Sequence, residues 1–321
     1  METWGVNTLL MCFGGGIMGA AFGGLFSFVL CGLILLAGCI QALCGGGDFV
    51  LLQIGLGPIW GPHVGGFTSG LVAASYAAGI KKNHPGGSAK DILSPMMDTS
   101  WDVLLVGGVT ALLGHGLLQV LGQIPFVKMF DCIALVVIII PLIARLLFLK
   151  EMPFGSGESI KKHGLFGTDN YAISWCPWNA RPGRMVMLGL GAGLLSGGMA
   201  MGIKVAIAPM VLKGTISGTD AFVVPLVLCF SLAAIMLIGV NFGTGTIQKF
   251  PIWHSMAILS AMAYLRFDSL IVAAIVGVVS IFVQEFMARL FYNHGSNHID
   301  PPACTTAVGT LVINVVMLAV K

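Results

Sequence analysis

Residues 131–149 read DCIALVVIIIPLIARLLFL, an apolar run broken only by its first Asp and by one Arg near its end. About 20 apolar residues suffice for a helix to cross a bilayer. In lipid each backbone amide must find its partner inside the protein, so a run of this kind becomes a helix or a barrel strand. Barrel strands alternate apolar and polar residues. This run does not alternate, and similar runs recur along the chain. Charge is correspondingly scarce, at 9% of residues against 57% hydrophobic. Soluble domains carry roughly 25% charged residues. The sequence therefore predicts an all-α polytopic membrane protein, with the lipid bilayer as its first partner. The net charge of +3 is spread over loops and gives no basis for nucleic-acid binding. The opening METWGVNTLL has no basic region before its apolar run, so the first run is expected to stay as a span and not leave as a signal.

Apolar runs at about 8–45 (two spans), 101–122, 128–149, 184–212, 220–243, 251–265, 267–292 and 303–321 give most of the expected crossings. Residues 49–80 are long for one span and short for two, and Pro58 and Pro62 stand in their middle among glycines, which predicts a broken or re-entrant helix. The total is nine to eleven. The longest polar stretch, 150–183, divides the chain into a first membrane unit at 1–149 and a second at 184–321. Lys and Arg mark this stretch and the loop after residue 80, which places both on the cytoplasmic side of a cell inner membrane.

Three features recur in the same order in each half. Glycines at every fourth position, Gly15, Gly19, Gly23 and Gly189, Gly193, Gly197, lie on one helix face and allow close helix packing. Pro-Ile-Trp followed by His comes next, at PIWGPH (58–63) and PIWH (251–254). An Asn-His phrase comes last, at Asn83-His84 and Asn293-His294, each followed by Gly, Ser, Asp and Pro. Shared order suggests an internal duplication, parallel or inverted, giving two related bundles with interrupted helices.

Candidate functional residues follow from cost. An ionisable group within a span is expensive and defaults to a functional role. Lys204, mid-run in GGMAMGIKVAIAPM, is a candidate contact for an anionic solute, with snorkelling to the surface as the structural alternative. His63 and His254, with Trp60 and Trp253 beside them, follow the two interruptions and are candidate substrate contacts. His115 and Glu285 are candidates for proton coupling, with pairing to Arg289 as the plain alternative for Glu285. Thr305, Thr306 and Asn314 join the coupling set as polar groups in the last span. Asn83, His84, Asn293, His294 and Asp300 form candidate gating loops. Asp300-Pro301 has the form of a helix start, and Ser94-Pro95 is read as its counterpart. Asp102, Asp131 and Asp268 are placed at headgroup level.

The eight cysteines lie mostly inside apolar runs without metal-ligand spacing, so neither a metal nor a cofactor is expected. No nucleophile elbow, zinc-protease helix or phosphate loop is present, so an enzyme is not the preferred reading. The expected function is a secondary transporter or permease for a small polar, anionic solute, coupled to protons or sodium. A membrane subunit of a larger complex is the main alternative, with an intramembrane enzyme third. Partners beyond lipid and solute would be a second copy of the chain or a separate membrane subunit.

Overall fold

In a computed structural model, which describes residues 2–167, 170–242 and 245–320, every regular element is helical. Among the described residues, seven helices are long and apolar enough to cross a membrane. The elements of the first half are α1 (Val6–Phe22), α2 (Gly24–Leu43), α3 (Thr68–Tyr76), α4 (Trp101–Leu121) and α5 (Cys132–Ala144). A short amphipathic α6 (Gly157–His163) follows in the central segment. The second half holds α7 (Pro182–Leu212), α8 (Gly218–Met236), the single turn α9 (Ile238–Asn241), α10 (His254–Phe267), α11 (Leu270–Met287) and α12 (Pro301–Val320).

Local sequence explains where helices start and stop. Gly23 separates α1 from α2 because its φ of 83° suits glycine, and because a Cβ there would stand 2.6 Å from the Ser94 carbonyl. Asp131 caps α5 by accepting from the Ala134 amide at 2.9 Å, and Asp300 caps α12 through Ala303 at 2.8 Å. The predicted interruption at 49–80 is present: a π-helical turn at Val50–Gly55 gives way to irregular chain, and α3 begins only at Thr68. The second Pro-Ile-Trp stands in irregular chain that reaches Trp253 before α10 begins at His254. Ser94 and Pro95 do not start a helix. Asp91 accepts from the Ser94 amide and hydroxyl, and α4 begins at Trp101.

Packing partners recur between the halves. In the first, α1 lies against α3 and α4, and α3 also meets α5. In the second, α7 lies against α10 and α11, and α10 also meets α12. Glycine sets both arrangements. Cβ atoms at Gly15 and Gly19 would collide with the carbonyls of Ile59 and Gly65, so the interrupted segment rests directly on the α1 backbone. A Cβ at Gly193 would come within 2.8 Å of the Ala273 carbonyl and the Ala274 Cα on α11. Between halves, α2 and α8 are antiparallel: Gly32 faces Ala234 and Ser231, while Cys39 reaches the Val224 carbonyl. α5 and α12 are antiparallel too, since Asn314 bonds to Met129 just before α5 and Arg145 near its other end bonds to Asn297 just before α12.

The two Asn-His phrases do not occupy corresponding places. Asn83-His84 follows the turn after α3, whereas Asn293-His294 follows the turn after α11, one helix later in the order. That accounts for their unequal spacing from Pro-Ile-Trp. Asp131 and Asp300, in Asp-Cys-Ile-Ala and Asp-Pro-Pro-Ala, each cap the last long helix of their half.

Candidate functional site: a cavity between the two halves

An inner cavity of about 70 Å³ lies where the halves meet. Phe28 (α2) and Phe230 (α8) line it, together with Pro62 and Phe67 from one interruption and His254 just after the other. Asp131 and Ala134 at the start of α5 line one end, and Asp300, Ala303 and Thr306 at the start of α12 line the other, as the antiparallel run of the two helices requires. A vestibule of about 150 Å³ adjoins it and shares Phe28, Phe67, His254 and Asp300, so these four side chains form the partition. Lys90, Trp175, Trp178, Tyr292 and His298 line the outer part of the vestibule.

The partition is aromatic. The Phe28 ring centroid is 5.1 Å from Phe67, 5.6 Å from Phe230 and 5.2 Å from His254. Behind them, His298 Nε2 stands 3.2 Å from Asp300 Oδ1 and His254 Nε2 stands 4.0 Å from Oδ2. The first distance is a hydrogen bond and the second is not. His254 Nδ1 and His298 Nδ1 are buried without a protein partner among the described residues.

The opposite end of the bundle holds a third cavity, of about 200 Å³, lined by Thr8, Gln53, His63, His115 and Gln119. His63 is fully buried, and neither ring nitrogen has a protein partner among the described residues. His115 Nε2 donates to the Thr3 carbonyl at 2.9 Å, leaving Nδ1 bare. His63 and His115 therefore share one compartment, and His254 belongs to another.

The polar loop at 293–300 is explained by what it ties down. Arg145, fully buried, donates to Asn297 through Nε (2.7 Å, to Oδ1) and Nη2 (3.1 Å, to the carbonyl), and to the Pro153 carbonyl through Nη1 (2.6 Å). Glu151 stands 3.8 Å from its Nε. The Asn297 amide continues to Ser75 and the Pro141 carbonyl, joining α3, α5 and the loop. Asn293 accepts from the Trp175 amide on its side chain and from Lys90 Nζ on its carbonyl. His294 must donate from Nε2 to the Leu165 carbonyl, so its Nδ1 accepts from Ser159. These bonds close one end of the bundle over the central segment. His84 is similarly satisfied, by the Asp91 carbonyl and the Gly86 amide, and Asn83 donates to Ser100.

Lys90 is the vestibule's basic group. Burial is the main cause that pulls its ammonium down to about 8, and nearby Arg145 adds to this while Glu151 opposes it. The unfolded chain holds that proton up to its ordinary value of 10.5, so stability rises with pH between about 8 and 10.5 on this group's account.

Other predicted residues lie elsewhere. Lys204 is on the surface, 46% exposed, paired with Asp268 at 2.8 Å beyond the end of α10. It does not line the cavity, and the snorkelling alternative describes its position. Trp60 donates to the Ser27 carbonyl within packed helices, and Trp253 is buried in the α7–α10 core. Glu285 pairs with Arg289 at 2.9 Å away from the cavity. Thr305 bonds back to the Pro301 carbonyl within its own helix, and Asn314 ties α12 to the turn before α5. Of the proposed coupling residues, only Thr306 faces the inner cavity.

A family model described as a family of unknown function, DUF7973, matches residues 1–156 and again residues 156–320. The chain belongs to this family. No curated protein and no solved structure matches it.

Proposed function

We propose that this protein is a secondary transporter or permease for a small polar solute, built from two duplicated halves of inverted topology. In such transporters the solute site lies at the repeat interface and is formed by interrupted helices. The observation that carries the reading is the inner cavity: both interruptions and both Asp-capped helix starts converge on it from opposite halves. Three further observations support duplication with inversion. The family model matches twice, the packing order recurs, and the related helices α2 and α8, and α5 and α12, meet antiparallel. An odd number of crossings in each half places corresponding elements upside down relative to one another. On this reading the halves contribute five crossings each, counting α1 and the two interrupted segments with the seven long helices.

The end of the bundle that carries Lys81, Lys82, Lys90, Lys150, Lys161, Lys162, Arg181 and Arg184 is cytoplasmic by the positive-inside rule, and the membrane is the inner membrane. The vestibule then opens toward the cytoplasm, and the His63–His115 cavity belongs to the other face. Lys204, one of the groups expected to contact an anionic solute, lies on the surface, so the reading does not specify an anion.

Purified protein in liposomes tests the reading. Concentration jumps of ammonium, sodium, nitrate, formate, an amino acid and a sugar are applied, with currents or tracer uptake recorded. A saturable response to one class, absent from empty liposomes, is expected. Silence toward every class, from protein that remains folded in the bilayer, would contradict transport.

A further inference from the structure

One end of the inner cavity combines the Asp300 carboxylate with aromatic faces, and among the described residues neither Lys nor Arg lines the cavity. One Asp300 oxygen is held by the Ala303 amide and the other by His298, while Asp131 lies toward the far end. Phe28 and Phe230 sit in contact with the His254 ring. His254 is 6% exposed, its Nδ1 has no partner among the described residues, and its Nε2 stands too far from Asp300 for a hydrogen bond. A buried polar ring left without a partner beside a carboxylate has bonding capacity to spare for a ligand.

The chemistry of this lining selects a cation. Aromatic faces attract ammonium groups, and a carboxylate accepts their N–H donors. Hard metal ions want about six oxygens or more, which this largely apolar lining does not supply. Among the described residues no group of three or more His, Cys, Asp or Glu is placed to hold a metal. The volume of about 70 Å³ limits the ligand to a few heavy atoms. Lys90, the one opposing charge in the vestibule, is committed to the Asn293 carbonyl at 2.9 Å and lies 4.6 Å from the centre of the Tyr292 ring.

We propose that the inner cavity binds a small ammonium-type cation, ammonium itself or a methylated amine, beside Asp300 and His254 and against Phe28 and Phe230. The role of that cation as transported solute rests on the transport reading, while its binding does not.

The test is thermal unfolding of the full-length protein in detergent, with ammonium chloride or methylammonium chloride replacing sodium chloride at constant ionic strength, and with sodium nitrate and sodium formate as anion controls. A ligand that binds only the native state raises the unfolding temperature. The expected result is a saturable rise with the two ammonium salts alone. Asp300→Asn keeps a helix-capping side chain and should weaken the apparent affinity about ten- to a hundredfold. Lys204→Ala should leave it unchanged. A rise with the anions alone, an equal rise with sodium, no rise at all, or full affinity in Asp300→Asn would overturn the proposal. If the variant does not purify as a single species, carbodiimide labelling of Asp300 in the unaltered protein replaces it. Protection by methylammonium and not by sodium is expected there, and equal labelling in both salts would overturn the site. Ammonium-selective binding without flux would sink transport but keep the site, whereas anion flux without ammonium binding would do the reverse.

Discussion

Arg145→Met should destabilise the protein by about 3–5 kcal/mol, the range for removing one partner of a buried charged cluster. The side chain is fully buried and joins Asn297, Pro153 and Glu151. Methionine matches its length but leaves the Asn297 oxygens and the Pro153 carbonyl without their donor, and the Glu151 carboxylate keeps Ser296 but loses its cation. Arg145→Lys should recover only part of the loss, because an ammonium cannot reach three acceptors with the planar fork of a guanidinium. Gly295 shows how closely the loop wraps the head group: a Cβ there would collide with it. Thermal unfolding in detergent reads both variants. An Arg145→Met protein as stable as the unaltered chain would show that the loop is held by its other bonds alone.

Gly19→Val should be comparably severe, at about 3 kcal/mol or more, at the upper end of overpacking costs. The added atoms would meet the Gly65 carbonyl, which belongs to backbone and cannot turn aside as a flexible side chain can. Gly14→Val gives the contrast, because nothing lies within 4 Å of a Cβ at that position. The same measurement should show a large fall in unfolding temperature for the first variant and a small change for the second. Equal effects would mean that helix propensity, and not the close approach of the interrupted segment to α1, sets the cost.

Much of this architecture was legible because the signals were local. Apolar runs mark spans wherever they pack, and Pro58 and Pro62 among glycines mark the interruption that ends before α3. Residues whose role depends on depth were less legible. Lys204 reads deeper than it lies. It sits mid-run in sequence, but α7 has 31 residues, more than a bilayer needs, so the run continues past the membrane-spanning part. Arg145 carried a signal that went unused, an arginine within an apolar run. Its partner Asn297 could not be found by spacing, because 152 residues separate the two.

The most direct test of an inverted, alternately opening transporter is cysteine labelling from each face of the membrane with an impermeant methanethiosulfonate. The background carries Cys44→Ser and Cys132→Ser, which removes one exposed and one half-buried native thiol. Leu93→Cys lies in the vestibule, Gln119→Cys in the opposite cavity, and Thr306→Cys in the inner cavity between them. Leu93→Cys should react only from the cytoplasmic face, Gln119→Cys only from the other, and Thr306→Cys from both. Labelling of Leu93→Cys and Gln119→Cys from the same face would contradict the crossing of α4, on which five crossings per half and hence the inversion depend, and a Thr306→Cys thiol reached from one face alone would contradict alternating access.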